Sequence, residues 1–278
     1  MEAPIIDDEL WILIEPLLPP AKLRAKSDPG RPRVSDRAAL NGILFVFKTG
    51  IRWNHLPTRL GFGSGATCWR RLSDWQRLVY GTNCTSCFST SCVRPAKSTC
   101  HTLRSIRRPC APLGRAKTGP NPTDRARPGS KHHVLVDANG VPLVAILTGA
   151  NTNDVTQLLP LVDAIPPIRG VRGRALQKPG VVYADRSYDS TRHRRALRER
   201  GIKPVIAKRR TEHGSGLGKY RWVVERTHSW LHNFRRLRTR FERRAYIHEA
   251  FLKLGCSIIC WNIFRRAEQG FELASNSA

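Results

Sequence analysis

The chain has 278 residues, 40% of them hydrophobic, enough for one large domain and a smaller one, each with a buried core. Its 48 Lys and Arg against 21 Asp and Glu give a net charge of +27, which disfavours a compact state by itself and points to a polyanionic partner. Nucleic acid fits before an anionic membrane surface, because no apolar run reads as long enough to span a bilayer and residues 1–8 are acidic rather than signal-like.

In chain order, Asp7, Asp8 and Glu9 open a helix with Leu10, Ile14, Leu17 and Leu18 on one face, stopped by Pro19 and Pro20. Residues 21–33 form a basic, Pro- and Gly-containing linker. Ser35 is placed to cap a second helix carrying Leu40, Ile43, Leu44 and Phe47, which ends at Thr49-Gly50. After a Gly-rich turn at 61–65, a third helix over 67–78 sets Trp69, Leu72 and Trp75 among Arg70, Arg71 and Arg77. That outline is helix-turn-helix-like, and it equally describes a small helical bundle whose arginines are merely solvated.

From Lys131 the texture changes. Residues 133–136 and 141–147 flank Asp137-Ala138-Asn139-Gly140, a hairpin signal. Asp154 opens an apolar helix, 180–184 reads as a buried strand, an Arg-rich helix runs to Gly201, and 203–207 is a short strand. A basic loop at 208–219 leads to a long helix over 220–237 and a last apolar helix over 246–264. Alternating strands and helices predict an α/β domain with a mixed sheet.

Two carboxylates stand out. Asp185 ends the buried strand, where open α/β sheets bind ligands; it can ligate a cation there or simply cap the next helix. Glu225 shares a polar helix face with Arg221, His228, Ser229 and His232, while Val224, Thr227, Leu231 and Phe234 belong to the buried side. Glu225 can ligate a cation beside phosphate-binding side chains, or pair with Arg221 on a solvated face. Carboxylates converging on Mg²⁺ or Mn²⁺ would suit phosphodiester chemistry, in which paired cations activate a water or a DNA 3′-OH.

Tyr183-Ala184-Asp185-Arg186-Ser187-Tyr188-Asp189 and Arg221-Trp222-Val223-Val224-Glu225-Arg226-Thr227 resemble the second-Asp and Glu motifs of bacterial insertion-sequence DDE transposases, the insertion-sequence-five family. Lys117-Thr118-Gly119-Pro120, the run Arg127 to His133 and the run Gly149 to Asp154 resemble the same catalytic domain. Gly30-Arg31-Pro32-Arg33 and Trp69 through Trp75 resemble its helical DNA-binding region. The resemblance implies an RNase H-like mixed sheet with flanking helices, preceded by a small all-α helix-turn-helix-like domain. It implies divalent-metal-dependent cleavage and strand transfer at element ends, with Asp185 and Glu225 as catalytic and metal-binding residues.

Double-stranded DNA, both terminal inverted repeats and target, is the implied partner, with a homodimer on DNA, no membrane and a cytoplasmic, nucleoid-associated setting. Arg70 and Arg71 would contact it, with Arg31 and Arg33 in a minor-groove arm. Arg221 joins them on the catalytic side. The family's basic residue seven after the Glu is His232 here, with Arg235 and Arg236 as substitutes.

One stretch departs from the pattern. Residues 75–123 contain no Asp or Glu and hold five of the eight cysteines, although the family's first catalytic Asp belongs there, on a central strand. Reading Lys97 to Pro112 in an offset frame with free wobble bases yields Ile-Asp-Ser-Ser across Ser105 and Ile106. A zinc knuckle on Cys84, Cys87, Cys92, Cys100 and His101 is the rival account, and its irregular spacing argues against it. The expected organisation is therefore a DNA-binding region over 1–80, a disrupted segment over 81–116 supplying no strand, a catalytic domain over 117–268 and a tail over 269–278. Loss of the first Asp predicts an inactive copy, or a non-catalytic protein occupying element ends. A structural RNA-binding protein would explain the charge and neither carboxylate motif.

Overall fold

The computed structural model describes residues 6–20, 32–78, 100–109, 116–168, 176–210 and 218–275, with only the Thr102 side chain described in 100–109. The chain divides into two compact units: 1–84 with 234–236, and 85–233 with 237–278.

The first unit contains α1 (Asp8–Ile14), α2 (Asp36–Thr49) and α3 (Gly65–Leu78). Ser35 caps α2 by accepting from the Ala38 amide, and Gly50 closes it in the left-handed region at φ 76°. Both features follow the sequence. Ile43, Val46 and Phe47 of α2 are buried with Cys68, Leu72 and Trp75 of α3. The helices approach so closely that a Cβ on Gly42 would lie 2.7 Å from Cys68 Sγ. Burial pushes the Cys68 thiol up to about 11, so it stays protonated.

The second unit is a six-stranded mixed sheet with helices. Its strands are β1 (Cys100–Pro109), β2 (Gly119–Pro120), β3 (Pro128–Val136), β4 (Pro142–Gly149), β5 (Val181–Ala184) and β6 (Lys203–Ile206). The order is β2-β3-β1-β5-β6, with β4 also on β3. β1 pairs antiparallel with β3, Thr102 opposite Val136, and parallel with β5, Leu103 beside Ala184. The unit's helices are α4 (Leu158–Asp163), α5 (Thr191–Glu199), α6 (Gly218–Asn233) and α8 (Ala245–Ser275), while α7 (Arg235–Arg238) begins in the residues that belong to the first unit. Leu135, Leu143, Leu158, Val182, Ala184 and Tyr188 share one buried cluster.

Three expectations need correction. The segment read as supplying no strand forms β1 at the centre of the sheet, although 81–99 and 110–115 lie outside the described residues. Sequence reasoning weighed the arginines of 104–108 against burial. The peptide groups of β3 and β5 that face the slot need partners, and any strand backbone supplies them. The long helix over 220–237 is broken at Phe234, whose ring stacks on Phe47 at 4.4 Å. Finally, one helix is long and apolar enough to cross a membrane, over 245–269, and more than half of that stretch is buried within the protein.

Candidate active site

β5 delivers Asp185 to the end of a rigid strand. Val182 and Ala184 point into the core, while Tyr183 on the opposite face stacks on Tyr220 of α6 at 4.2 Å. Strand alternation puts Asp185 on the Tyr183 side. Its Oδ1 accepts from the Ser187 amide at 2.5 Å, capping the short turn Arg186–Tyr188. The capping role is thus realised, and it uses one oxygen of the half-buried carboxylate.

The turn after Asp185 is anchored through Asp189. Its carboxylate accepts from Arg194 Nε at 2.8 Å and from the Arg209 amide at 2.8 Å. The Arg209 guanidinium in turn donates to the carbonyls of Arg186 and Ser187, both at 3.0 Å. Burial alone would raise the Asp189 carboxyl, but the Arg209 amide and the Arg194 guanidinium outweigh it and hold it below the usual range.

Motifs that the resemblance singled out meet behind this turn. Lys131 is buried and donates to Asp154 Oδ1 at 2.7 Å and to the Thr152 carbonyl at 2.6 Å. His133 faces Thr148 Oγ1 at 2.8 Å and the Tyr188 hydroxyl at 3.4 Å. His132 faces His248 of α8, Nε2 to Nε2 at 2.9 Å. Burial first, then Arg240, pushes His248 down to about 3, so its ring stays neutral. Arg240, fully buried, gathers the carbonyls of Ala116, Lys117 and Glu242 and the hydroxyls of Thr118 and Ser130. These buried polar side chains fix β3 to its surroundings.

α6 supplies Glu225, whose side chain is 46% exposed and lies 3.7 Å from Arg221, the surface pair foreseen from their spacing. Val223, Val224, Thr227 and Leu231 are buried, and so is His228, which had been assigned to the polar face. The helix is fastened at both ends of this stretch. Thr102 donates to the Tyr220 carbonyl at 3.4 Å, Thr227 to the Gly140 carbonyl at 2.7 Å, and Arg226 to the Asn139 carbonyl at 2.6 Å. Gly140 has φ 83°, and a Cβ there would lie 3.0 Å from Thr227 Oγ1, so the turn needs glycine twice over.

These contacts lead α6 from Tyr183 toward the β3–β4 turn. By the β1–β3 register that turn lies past Thr102 in the direction of Cys100, whereas Asp185 follows the opposite end of β5. The helix thus carries Glu225 away from the strand end that holds Asp185. Among the described residues, no group of three or more His, Cys, Asp or Glu could hold a metal ion. β1 offers no carboxylate where it passes Asp185. Among the described residues, the arrangement does not fit a carboxylate-bound metal pair.

The basic residues divide in two. Arg70 is exposed and donates to the Ala66 carbonyl of its own helix at 3.3 Å, and Arg235 is exposed as well. Arg71 was expected to face DNA but is buried, committed to the Asp36 carboxylate and to the Val34 carbonyl at 3.0 Å. Arg236 is likewise buried, bonded to the Ile51 carbonyl. Arg33 pairs with Asp36 at 3.0 Å. His232 is half-buried with its ring 6.0 Å from His228, and Arg31 lies outside the described residues. Sequence reasoning missed Arg194 and Arg209, which shape the turn at Asp185; only their place in a basic stretch hinted at them.

Comparison with known proteins agrees with the motifs. The family described as transposase DDE domain matches residues 98–263, and that described as putative transposase of IS4/5 family matches residues 6–79. The putative transposase for insertion sequence element IS402 of Burkholderia cepacia is 83% identical over 156 residues, 56% of this chain and 74% of that protein. The insertion element IS402 uncharacterized 16.2 kDa protein of Burkholderia cepacia is 70% identical over 76 residues, 27% of this chain and 52% of that one. The transposase for insertion sequence element IS1106 of Neisseria meningitidis serogroup B is 27% identical over 155 residues, 51% of this chain and 48% of that one.

Proposed function

Because the chain belongs to the DDE-domain transposases of bacterial insertion sequences, we propose that it keeps the DNA-binding half of that activity and has lost the cutting half. β1 carries the reading: it occupies the central strand, runs beside the strand that ends in Asp185, and holds no Asp or Glu from Cys100 to Pro109. DDE transposase domains use divalent ions. Asp185 and Glu225 are the remaining metal-binding candidates in this chain, and two carboxylates hold a pair of cations poorly. No cleavage step is therefore assigned to it.

Strand order and directions, with β1 between the β3–β4 hairpin and the Asp185 strand, support an RNase H-like sheet. The net charge of +27 and the exposed Arg70 and Arg235 support double-stranded DNA at element ends as the partner, read through phosphates.

The test is incubation of the purified chain with element-end duplexes in Mg²⁺ or Mn²⁺, with an EDTA control. The expected outcome is bound but intact DNA. Robust EDTA-sensitive strand transfer overturns the reading.

A further inference from the structure

α1 lies in a segment whose charge is opposite to that of the rest of the chain. Residues 1–20 hold Glu2, Asp7, Asp8, Glu9 and Glu15, and all 48 Lys and Arg lie beyond Pro20. The helix is tied to α2 along one side. The buried Ile6 amide donates to Asn41 Oδ1 at 3.2 Å, while Arg37 donates to the Ile6 carbonyl at 3.0 Å and pairs with Asp8 at 2.6 Å. Glu9, Ile12 and Leu13 stand three and four residues apart, on one helix face, and all three are exposed, as is Glu15. Ile12 is 67% exposed. Such a face repels a polyanion, so nucleic acid does not account for it. It fits a basic surface with an apolar group in its middle.

The same chain carries such a surface between α7 and α8. Arg240 is fully buried and donates to the Glu242 carbonyl at 3.1 Å, and Glu242 is buried as well. With its two neighbours drawn inward, Phe241 is left on the outside, 54% exposed. Arg238, Arg243 and Arg244, on either side of it in sequence, are exposed too. One surface is acidic around an aliphatic side chain, and the other is basic around an aromatic ring.

We propose that α1 of one copy docks on residues 238–244 of a second copy. Ile12 and Leu13 lie against Phe241, and Glu9 and Glu15 meet Arg238, Arg243 and Arg244. A second copy is the occupant because every copy brings both surfaces, and the acidic helix is steered toward a molecule of net charge +27. The contact joins two different patches, so it closes into a pair where each helix reaches the other copy and otherwise extends. It stands whether or not the chain binds DNA, because no phosphate takes part in it.

The test is light scattering on the full chain after nuclease treatment, at low and at high salt. Copies should associate at low salt and separate at high salt. Ile12→Ser should weaken the association about tenfold. One further variant reverses the helix, Glu9→Arg with Glu15→Arg, and another reverses the patch, Arg238→Glu with Arg243→Glu. Each alone should stay a single chain where wild type associates, and the two mixed should associate, because their signs again oppose. Circular dichroism melting at high salt should stay close to wild type throughout, since every changed side chain is exposed. A wild-type chain that is single after nuclease treatment overturns the contact, and association seen only before treatment means that nucleic acid bridges the copies. Variants that associate as wild type does also overturn it and move the interface elsewhere, and so does a mixture that stays separate.

Discussion

Asp137 and Asp189 sit at the two ends of the candidate site and respond to their surroundings in opposite directions. Asp137 is buried in the β3–β4 turn, and burial raises its carboxyl above the ordinary 3.8, against the pull of the Val141, Asn139 and Gly140 amides and Arg226. A raised folded value means stability is greatest with the proton on and is lost as pH climbs from 3.8 through the folded value. Asp137→Asn keeps an acceptor for the Asn139 and Val141 amides, so its melting temperature relative to wild type should rise with pH. Asp189 is depressed, so its contribution is present above 3.8 and lost as pH falls through the folded value. The deficit of Asp189→Asn should therefore be full above pH 3.8 and shrink as pH falls below it. Melting curves from acid to neutral pH check both, and parallel trends for the two variants would contradict the assignment. At this scale the sequence was partly legible. The Arg221–Glu225 pair follows from spacing alone, but nothing local separates exposed Arg70 from its neighbour Arg71, whose partner Asp36 lies on another helix.

Elements whose signals are local were readable in advance. Ser35 and Gly50 bracket α2, Asp137 to Gly140 make the hairpin turn, and the apolar run at 181–184 is a buried strand. β1 was not readable, because its strand character comes from neighbours distant in sequence rather than from alternation of its own residues. The break of α6 at Phe234 was missed for the same reason: the aromatic partner Phe47 belongs to α2. Hydrogen exchange should find the amides of Cys100–Pro109 that face β3 and β5 protected together with the hairpin. Fast exchange throughout that segment would remove β1 from the sheet.

For the whole molecule, the charge is the property that reads most directly into behaviour. Each phosphate neutralised releases counterions, so affinity for duplex DNA should fall linearly on a log–log plot against salt. Arg70→Ala should lower that slope by about one. Arg71→Ala should leave the slope unchanged and destabilise the first unit instead, since it strips Asp36 and the Val34 carbonyl of a buried partner. A slope that changes equally in both variants would contradict the division between exposed and committed arginines. The family was thus legible from the motifs. The separation of the two carboxylates was not, because it depends on where α6 docks.

The central position of β1 has a consequence for synthesis. It is the first strand to leave the ribosome, yet its parallel neighbour β5 follows about 80 residues later, several seconds at roughly 5–20 residues per second. Through that interval the edge of β1 opposite β3 is bare, the situation in which nascent chains pair with the wrong copy. Arg104, Arg107 and Arg108, which looked like obstacles to a buried strand, give the waiting segment a positive charge that repels its own copies.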